Sequence, residues 1–442
     1  MPQHLRHDVI KQIKEQKIEF IHLWFTDVLG FLKSFTMDVE ELENAMIEGM
    51  GFDGSSIQGF ARIEESDMVA FPDPATLKIL PWRQSGQAVA TMFCDIVRPD
   101  GTPYEADPRY VLKRQLERAA KMGYTFFVGP ELEYYYFKDD KGTEVLDQGT
   151  YFDQTTRDLA VDLRKDTVRM LKRFGIQVEY SHHEVGPSQH EIDLRYAEAL
   201  EMADNVMTYR VVVKEVAQSN GVYASFMPKP MFGEAGSGMH VHQSLFKDGR
   251  NAFYDASDPF HLSATAKSYI AGILAHARET CLITNQWVNS YKRLVSGYEA
   301  PVYICWAHRN RSALVRVPMY KPGKENATRV ELRSPDPACN PYLAFAVMLA
   351  AGLDGIEKGL TLPADVTDDV YEMSTEERAV QGIGQLPDNL HDAIIALENS
   401  DLLRETLGEQ TWSWFIRNKR LEWDAYKSRV TAWELDEYLP IL

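Results

Sequence analysis

The stretch that decides the fold is Gly129-Pro130-Glu131-Leu132-Glu133-Tyr134-Tyr135-Tyr136-Phe137. Its aromatic content and alternating character predict a β-strand. Side chains on a strand repeat every two residues, so Glu131 and Glu133 share one face. Leu132 and Tyr134 point the other way, as a core face does. Two carboxylates about 4 Å apart repel by roughly 4 kcal/mol at an effective dielectric near 20. The pair therefore indicates a bound cation; a solvated polar face is the simpler alternative.

Length and composition limit the class of protein. The chain has 442 residues, is 45% hydrophobic and carries a formal net charge of -18. This length predicts two domains, and the acidic balance without a Lys/Arg-rich run argues against a nucleic-acid or membrane partner. No apolar run approaches the ~20 residues that span a bilayer. The first residues lack a signal-peptide core, so we expect a cytoplasmic protein. The cysteines are scattered, which favours reduced core residues: Cys94, Cys281, Cys305 and Cys339.

A turn-rich linker at 98–103 predicts the domain boundary, with domains at 1–102 and 103–442. The first domain contains a hairpin (19–26 with 31–37), a helix from Asp38 to about Glu48, and a strand at 87–97, which indicates a small α+β unit. Asp107 and Pro108 begin the next helix. The remainder mixes helices near 158–174, 197–219, 263–281, 341–358 and 409–428 with strands at 176–184, 191–196, 238–246, 311–317 and 327–333.

A second acidic stretch runs from Glu179 to Asp193. Glu184 and Glu191 are seven residues apart, which places them on opposite faces of one straight strand. The intervening Gly186-Pro187-Ser188 breaks the strand, so two strand ends joined by a loop can bring both carboxylates to one site. His-Glu pairs here resemble fragments of H-E-x-x-H, but neither completes that motif, which excludes a zinc protease of this type.

Two further strands carry chemical groups on one face. The first holds His240, His242 and Ser244 behind a glycine-rich turn. A lone strand histidine is usually structural, and the second histidine two residues later makes a ligand role equally plausible. The second strand places Arg329, Glu331 and Arg333 on one face. A surface salt-bridge ladder is the simple interpretation of that pattern, but arginine also pairs with carboxylate and phosphate oxygens.

These groups favour one type of chemistry. Several carboxylates with an imidazole prefer Mg²⁺ or Mn²⁺ over zinc. Divalent cations with arginines are what phosphoryl transfer requires. A G-x-x-x-x-G-K-[ST] sequence is absent, so this is not a P-loop protein. The residues alone therefore predict a metal-dependent, nucleotide-using enzyme that also binds a carboxylate, and they leave the second substrate open.

Seven motifs in register resemble glutamine synthetase of the bacterial and archaeal type I, and the resemblance covers nearly the whole chain. The motifs are Phe52-Asp53-Gly54-Ser55-Ser56, Gly129-Pro130-Glu131-Leu132-Glu133, Met227-Pro228-Lys229-Pro230, Gly236-Ser237-Gly238-Met239-His240, Asn289-Ser290-Tyr291-Lys292-Arg293-Leu294, Asn310-Arg311-Ser312 and Asn340-Pro341-Tyr342-Leu343.

The resemblance implies an α+β fold with a small N-terminal β-grasp domain. A large catalytic domain follows, with a curved antiparallel sheet that forms a two-mouthed funnel, and helices around it. It also implies the ATP-dependent ligation of ammonia to glutamate through γ-glutamyl phosphate. Two or more Mg²⁺ or Mn²⁺ ions would serve each active site, with ATP as a substrate. Each site would lie between subunits of a homo-dodecamer of two stacked hexamers, and small regulatory proteins are possible partners.

The resemblance also assigns roles by position. Glu133, Glu184 and Glu191 correspond to the ligands of one metal, and Glu131, His240 and Glu331 to those of the other. The ATP-contacting positions are Glu179, Tyr196, His242, Ser244, Arg316 and Arg329. The glutamate- or phosphoryl-contacting positions are Gly236, Arg293, Glu299, Arg311 and Arg333. The pair that binds ammonium and removes its proton corresponds to Asp53 and Glu299, so the catalytic set is Asp53, Glu299, Arg311 and Arg333.

Three departures accompany the resemblance. Ala235 stands where the family commonly has Asn, which predicts a looser contact to the glutamate main chain. The segment 319–327 is longer and more charged than expected. The Asn-Leu-Tyr-Asp-Leu signature of the adenylylated branch is absent. The chain thus resembles the non-adenylylated alpha branch, in which glutamine feedback is expected and Arg62 occupies the position linked to it.

Two alternatives remain. A γ-glutamyl ligase for another amine would keep the metal and ATP residues but could lose the ammonium pair, so the presence of Asp53 and Glu299 favours ammonia. A non-catalytic structural or regulatory descendant would have lost metal ligands, whereas all six positions carry competent residues. Glu299 lies between Gly297 and Pro301, which predicts a lid that keeps water from the acyl phosphate.

Overall fold

Two β-sheets organise the chain, and helices cover the second one. The computed structural model describes residues 3–57, 59, 66–82, 88–154, 156–297, 300–308 and 310–442. Its helices are α1 Gln3–Glu15, α2 Leu42–Glu48, α3 Pro108–Lys121, α4 Val161–Arg173, α5 Ala199–Ser219, α6 Ala264–Ala275, α7 Ala277–Thr284, α8 Ser290–Arg293, α9 Pro341–Lys358, α10 Thr375–Val380, α11 Leu390–Glu398, α12 Asp401–Leu407, α13 Glu409–Lys427 and α14 Ala432–Tyr438.

The strands fall into a set before α3 and a set after it. The first six are β1 Ile18–Thr26, β2 Leu32–Asp38, β3 Met50–Asp53, β4 Asp67–Pro72, β5 Lys78–Ile79 and β6 Ala88–Val97. The others are β7 Thr125–Phe137, β8 Val178–His183, β9 Gln189–Leu194, β10 Ala197–Glu198, β11 Tyr223–Ser225, β12 Met239–Lys247, β13 Arg250–Asn251, β14 Tyr303–Ile304, β15 Trp306–His308, β16 Val315–Val317, β17 Val330–Leu332 and β18 Gly384–Gln385.

The first sheet has the order β2-β1-β6-β4-β3, with β5 beside β6. β1 and β2 form the predicted antiparallel hairpin, and β1 pairs with β6 in parallel. Asp38 is a helix cap, as predicted: its carboxylate accepts a hydrogen bond from the backbone N–H of Glu40. A short 3₁₀ turn, Val39–Glu41, precedes α2, which ends at Gly49 in a positive-φ conformation. This small sheet confirms the predicted α+β character of the N-terminal part.

The second sheet has the order β15-β16-β17-β12-β7-β9-β8, with β10 and β11 beside β7 and β13 beside β12. The β15–β16 pair is parallel, and the other pairs in this sheet are antiparallel. The strand β7 lies at its centre, between β12 and β9. The stretch 129–137, which the sequence predicts to be a strand, therefore belongs to the central strand of the larger sheet.

One face of β7 belongs to the core, as the alternation predicted. Leu132, Tyr134 and Tyr136 are completely buried. The hydroxyl of Tyr209 on α5 donates a hydrogen bond to the carbonyl of Leu132, at 3.2 Å. Because α5 packs on this face, Glu131 on the opposite face is directed away from the hydrophobic core.

The N-terminal hairpin turn contacts the large sheet's helices. The side-chain amide of Asn340 donates to the carbonyls of Asp27 and Val28, at 3.1 and 3.2 Å. Gln286 donates to the carbonyl of Leu29 at 2.8 Å. A Cβ atom at Gly30 would lie 2.9 Å from Cα of Asn340, so this close approach needs glycine. The turn is thereby fixed to the start of α9.

Some predicted elements differ from the structure. The helix predicted at 263–281 is two helices, α6 and α7, which meet at His276. The strand predicted at 311–317 is shorter and comprises only Val315–Val317. Among the described residues, each helix is either too short or too polar to cross a bilayer.

Candidate active site

Strand β7 places two carboxylates between neighbouring strands. Glu131 pairs in register with His240 on β12 and with Asp193 on β9. Glu133 lies opposite Glu191 on β9. Because the register fixes which side chains are adjacent on a face, the acidic groups of β7 and β9 and the imidazole of β12 are directed to the same side of the sheet.

The β8–β9 hairpin supplies two more carboxylates. Glu184 follows the end of β8, and its backbone N–H donates to the carbonyl of Gln189 at 2.8 Å. Glu191 lies on β9, opposite His182. The loop between these strands brings Glu184 and Glu191 into the same cavity, which is the arrangement that the break at 186–188 predicts.

This first cavity has a volume of about 310 Å³. It collects every residue assigned by resemblance to a metal and four of the five assigned to glutamate or the phosphoryl group. The lining residues from these sets are Glu131, Glu133, Glu184, Glu191, His240, Glu331, Gly236, Arg293, Arg311 and Arg333. The individual roles stay predictions, but the structure brings together side chains that are up to 202 positions apart in the chain.

Burial opposes ionisation of the carboxylates on one side of this cavity. It raises the pKa of Glu133 to about 7, although Arg293 and the backbone N–H of Gly238 favour the charged form. Burial, followed by the charge of Asp193, raises the pKa of Glu191 well above its ordinary value. Two buried carboxylates that ionise so poorly fit a divalent cation, because its charge would stabilise the ionised forms.

The other side of the cavity already holds positive charge. Burial opposes ionisation of Glu331, but its neighbours, His242 and Arg333 foremost, outweigh burial and lower its pKa to about 2. Nη1 of Arg333 lies 2.5 Å from Oε1 of Glu331, and Nε of Arg316 lies 2.6 Å from Oε2. Burial, followed by the charge of Arg333, lowers the pKa of His240 to about 4. A neutral imidazole is the form that binds metals.

A second cavity, of about 560 Å³, lies against the first one. Glu131, Tyr180 and Arg316 line both cavities. All six residues assigned by resemblance to ATP line the second cavity: Glu179, Tyr196, His242, Ser244, Arg316 and Arg329.

Hydrogen bonds orient His242 between the two cavities. Nε of Arg329 donates to its Nδ1 at 3.1 Å. Its Nε2 lies 2.7 Å from Oε1 of Glu131. Since Nδ1 accepts from a guanidinium, the ring proton is on Nε2 and is donated to the carboxylate. The ring therefore connects the predicted ATP-contacting arginine with a predicted metal ligand.

Two departures from the family pattern, Ala235 and the segment 319–327, lie at these cavities. Tyr320, Lys321 and Lys324, from the segment 319–327, line the second cavity, and both lysines are exposed. Asn251 fixes this segment by donating to the carbonyls of Asn326 and Thr328.

Ala235 lines the first cavity, and its carbonyl accepts a hydrogen bond from the hydroxyl of Tyr135 at 2.6 Å. The looser glutamate contact predicted at Ala235 stays a prediction.

One predicted residue stands apart from the cavities, and two others are not among the described residues. Asp53 is exposed in the N-terminal sheet, and its carboxylate accepts from the backbone N–H and hydroxyl of Ser55, at 2.8 and 2.7 Å. It is not one of the described residues that line either cavity. Glu299 and Arg62 lie outside the described residues. The neighbouring Ala300 does line the first cavity.

Reasoning from the sequence missed several residues that line the first cavity. Tyr180 and His182 precede Glu184 at two-residue spacing, and this alternation was a signal that they share its face. The ring of His182 stacks on Tyr180 with centroids 5.6 Å apart. Tyr151 had no comparable signal, because it enters the cavity from a loop distant in sequence.

The carboxylate-rich cavity beside a cavity lined by arginines and lysines defines a metal-dependent enzyme that uses a nucleotide. Comparisons with known proteins identify the family. A family model described as "Glutamine synthetase, beta-Grasp domain" matches residues 17–99, and one described as "Glutamine synthetase, catalytic domain" matches residues 105–438. The chain therefore belongs to the glutamine synthetase family. The predicted fold, a small β-grasp domain followed by a large catalytic domain with a curled sheet and surrounding helices, is confirmed.

Relatives match along nearly the full chain. The chain is 54% identical over 439 residues to a glutamine synthetase of Mycolicibacterium smegmatis, covering 98% of each chain. It is 52% identical over 441 residues to a glutamine synthetase of Methanosarcina mazei, covering 99% of this chain and 98% of the relative. Among solved structures, a GmaS/ADP complex is similar with a TM-score of 0.90 and 34% identity, covering 98% of this chain and 99% of that chain. Glutamine synthetase of Plasmodium falciparum follows with a TM-score of 0.89 and 26% identity, covering 98% of each.

Proposed function

We propose that this chain joins ammonia to the γ-carboxylate of glutamate and converts ATP to ADP and phosphate. The observation that carries the proposal is the first cavity, where five carboxylates, two imidazoles and several arginines converge beside a second cavity with cationic walls. The full-length similarity to glutamine synthetases from two different organisms supports the same reaction.

The arrangement suits an acyl-phosphate route. A carboxylate lacks a leaving group, and transfer of a phosphoryl group to it supplies one. Arg311 and Arg333 line the cavity where the transferred group would carry its charge, and they would stabilise the developing negative charge. Arg293 is fixed by donating to the carbonyls of Ser334 and Arg333, at 2.6 and 3.2 Å. A Cβ atom at Gly236 would lie 2.7 Å from Cγ of Arg293, so only glycine lets this part of the backbone border the cavity so closely.

Divalent cations, Mg²⁺ or Mn²⁺, are part of the proposal. One set of ligands would be Glu133, Glu184 and Glu191, and the other would be Glu131, His240 and Glu331. The donor set of carboxylate oxygens with one imidazole nitrogen supports these metals. When bound, the cations would supply positive charge that neutralises the crowded negative charge of the reacting groups.

We assign the ammonium step to Asp53 and Glu299. Ammonium becomes nucleophilic only after it loses a proton, which a nearby carboxylate can accept. Asp53 is exposed and is not among the described residues that line either cavity of its own chain, which supports a role in the site of a neighbouring subunit. The proposed assembly is a dodecamer of two stacked hexamers. The C-terminal residues support extensive contacts between copies, because Leu439, Ile441 and Leu442 are at least three-quarters exposed.

The proposal extends to the branch of the family. The chain would be a type I enzyme without adenylylation, controlled by glutamine through Arg62, and small regulatory proteins are possible partners. The support is the sequence Tyr371-Glu372-Met373-Ser374, which stands where the adenylylated branch has its signature. The domain boundary after residue 102 belongs to the same proposal.

A coupled assay of ADP release tests the reaction. Purified enzyme receives ATP, glutamate and Mg²⁺, with ammonium or with a series of amines and polyamines, and glutamine is measured in parallel. We expect ammonium to give the highest kcat/KM, with ADP and glutamine formed in equal amounts. A higher kcat/KM for another amine identifies a γ-glutamyl ligase of that amine instead. No ADP release with any amine identifies a non-catalytic descendant.

A further inference from the structure

The turn that carries Glu184 is held by a buried network behind the first cavity. This turn, residues 184–188, contains Ser188 in a positive-φ conformation. The hydroxyl of Ser188 accepts hydrogen bonds from the backbone N–H groups of Leu146 and Asp147, at 2.6 and 3.0 Å. Its own backbone N–H donates to the carboxylate of Asp147 at 2.9 Å. A segment 40 positions earlier in the chain therefore fixes the turn.

His183 connects this network to the backbone of Glu184. Its Nδ1 lies 2.6 Å from the carbonyl oxygen of Glu184, and its Nε2 lies 3.0 Å from Oδ1 of Asp147. Both partners are hydrogen-bond acceptors, so the two ring nitrogens connect the backbone of Glu184 to the carboxylate of Asp147. The side chain of His183 is completely buried, so these hydrogen bonds fix the ring between its two partners.

Asp147 accepts hydrogen bonds from several directions. Besides His183 and Ser188, the backbone N–H groups of Gly149 and Leu159 donate to its carboxylate, at 3.2 and 3.0 Å. Gly149 packs against the imidazole: a Cβ atom there would lie 2.5 Å from Nε2 of His183. The ring is therefore held in one orientation. Neither Asp147 nor His183 is among the described residues that line the first or the second cavity, so neither is placed to touch a substrate there.

The same cluster resembles a metal site but is unsuited to one. Asp147, His183 and His190 offer three potential ligand atoms within 4.8 Å of one another. However, Nη1 of Arg164 lies 2.9 Å from Nδ1 of His190. This guanidinium would repel a metal cation, so the cluster serves another purpose.

We propose that Asp147 and His183 are positioning residues that hold Glu184 in the orientation required to bind a divalent cation in the first cavity. The proposal rests on the proposed function, which makes Glu184 a metal ligand. Hydrogen-bonded partners behind ligands orient those ligands, and their loss typically weakens metal binding about 10–100-fold. The hydrogen bond of His183 to the carbonyl of Glu184 is the direct connection.

Two substitutions at one position separate the two hydrogen bonds. In His183→Asn, the side-chain amide nitrogen occupies roughly the place of Nδ1 and can still donate to the carbonyl of Glu184. In His183→Gln, the side-chain amide nitrogen occupies roughly the place of Nε2, so it can donate to Asp147 but not to Glu184.

Mn²⁺ binding to the assembled full chain is measured by calorimetry and by electron paramagnetic resonance, without ATP or glutamate. We expect His183→Gln to weaken one class of Mn²⁺ site about 10–100-fold and to leave the other class unchanged. His183→Asn retains tighter binding than His183→Gln.

His276→Gln is the matched control. Both ring nitrogens of His276 also lie 2.9 Å from carboxylate oxygens, of Glu279 and Asp354, and His276 is not among the described residues that line either cavity. The His276→Gln variant should bind Mn²⁺ at both classes of site with the wild-type affinities. Assembly size and thermal unfolding are measured for every variant, and Asp147→Asn provides the same comparison if His183→Gln does not assemble.

The outcomes separate this inference from the function on which it rests. If the wild-type chain binds Mn²⁺ and the variants at 183 and 147 bind it with the wild-type affinities, the positioning role is refuted while the proposed function stands. If both classes of site weaken equally, the network serves general stability and the inference is likewise overturned. If the wild-type chain itself binds no Mn²⁺, the proposed metal site has failed.

Discussion

Replacing Arg109 by methionine should weaken the contact between the two domains and lower the thermal stability of the protein. Arg109 lies on α3 and is almost completely buried. Its guanidinium donates to Asp204 on α5 through Nε and Nη2, at 3.2 and 3.0 Å. It also donates to Asp73 and Asp95 of the N-terminal sheet, at 2.8 and 2.5 Å. One arginine therefore joins carboxylates of both domains.

The size of the effect follows from these contacts. Methionine fills similar space but leaves the buried Asp204 without its cation, and breaking a buried pair in this way costs about 3–5 kcal/mol. The unfolding entropy is about 2.1 cal/mol/K per residue, which amounts to about 0.9 kcal/mol/K for 442 residues. The thermal midpoint of the assembled protein should therefore fall by about 3–5 °C.

Lys113→Met is the control for this prediction. Lys113 also pairs with Asp95, at 2.5 Å, but it is partly exposed. Exposed pairs contribute about 0–1 kcal/mol, so its midpoint should change by at most about 1 °C. Both variants are scanned by differential scanning fluorimetry at one subunit concentration. Equal midpoints for Arg109→Met and Lys113→Met would refute the claim that this network joins the domains.

Three further predictions concern substrates, control and assembly. Lys321 and Lys324 line the second cavity, so replacing both by glutamine should raise the KM for ATP and leave the KM for glutamate unchanged. The KM for ATP should also change less with ionic strength than it does in the wild-type enzyme. Steady-state kinetics at two ionic strengths checks both outcomes. Arg62→Ala should retain activity and lose sensitivity to added glutamine, and unchanged inhibition curves remove Arg62 from the regulatory account. Mixed assemblies of Asp53→Ala and Arg333→Ala chains should partly regain activity, because about a quarter of the interfaces in an equal mixture pair two intact residues. Verified mixed assemblies as inactive as either parent contradict a shared site.

Local patterns in the sequence predicted much of the fold. The alternation around Leu132 identified the central strand, and Asp107 with Pro108 marked the start of α3. The division of the helix at 263–281 was not predictable, because His276 ends α6 while its ring pairs with Asp354 on α9, 78 positions away. The C-terminal α14 was missed as well, since its apolar residues are exposed in the single chain.

Some features of the candidate site were likewise predictable from local sequence patterns, and others were not. The face shared by Glu131 and Glu133 followed from strand periodicity alone, while the grouping of the six predicted metal ligands needed the resemblance and the sheet register. The network of Asp147 and His183 had no signal in the sequence, because it depends on a contact between segments about 36 residues apart. The role proposed for Asp53 requires a neighbouring subunit, which a single chain does not contain.

Anomalous diffraction from Mn²⁺-soaked crystals of the assembled protein tests the central claim most directly. The account predicts two peaks in the first cavity of each chain, with ligand distances of about 2.0–2.3 Å. One ion should contact Glu133, Glu184 and Glu191, and the other Glu131, His240 and Glu331. Peaks elsewhere, with these carboxylates in contact with solvent alone, would contradict the account.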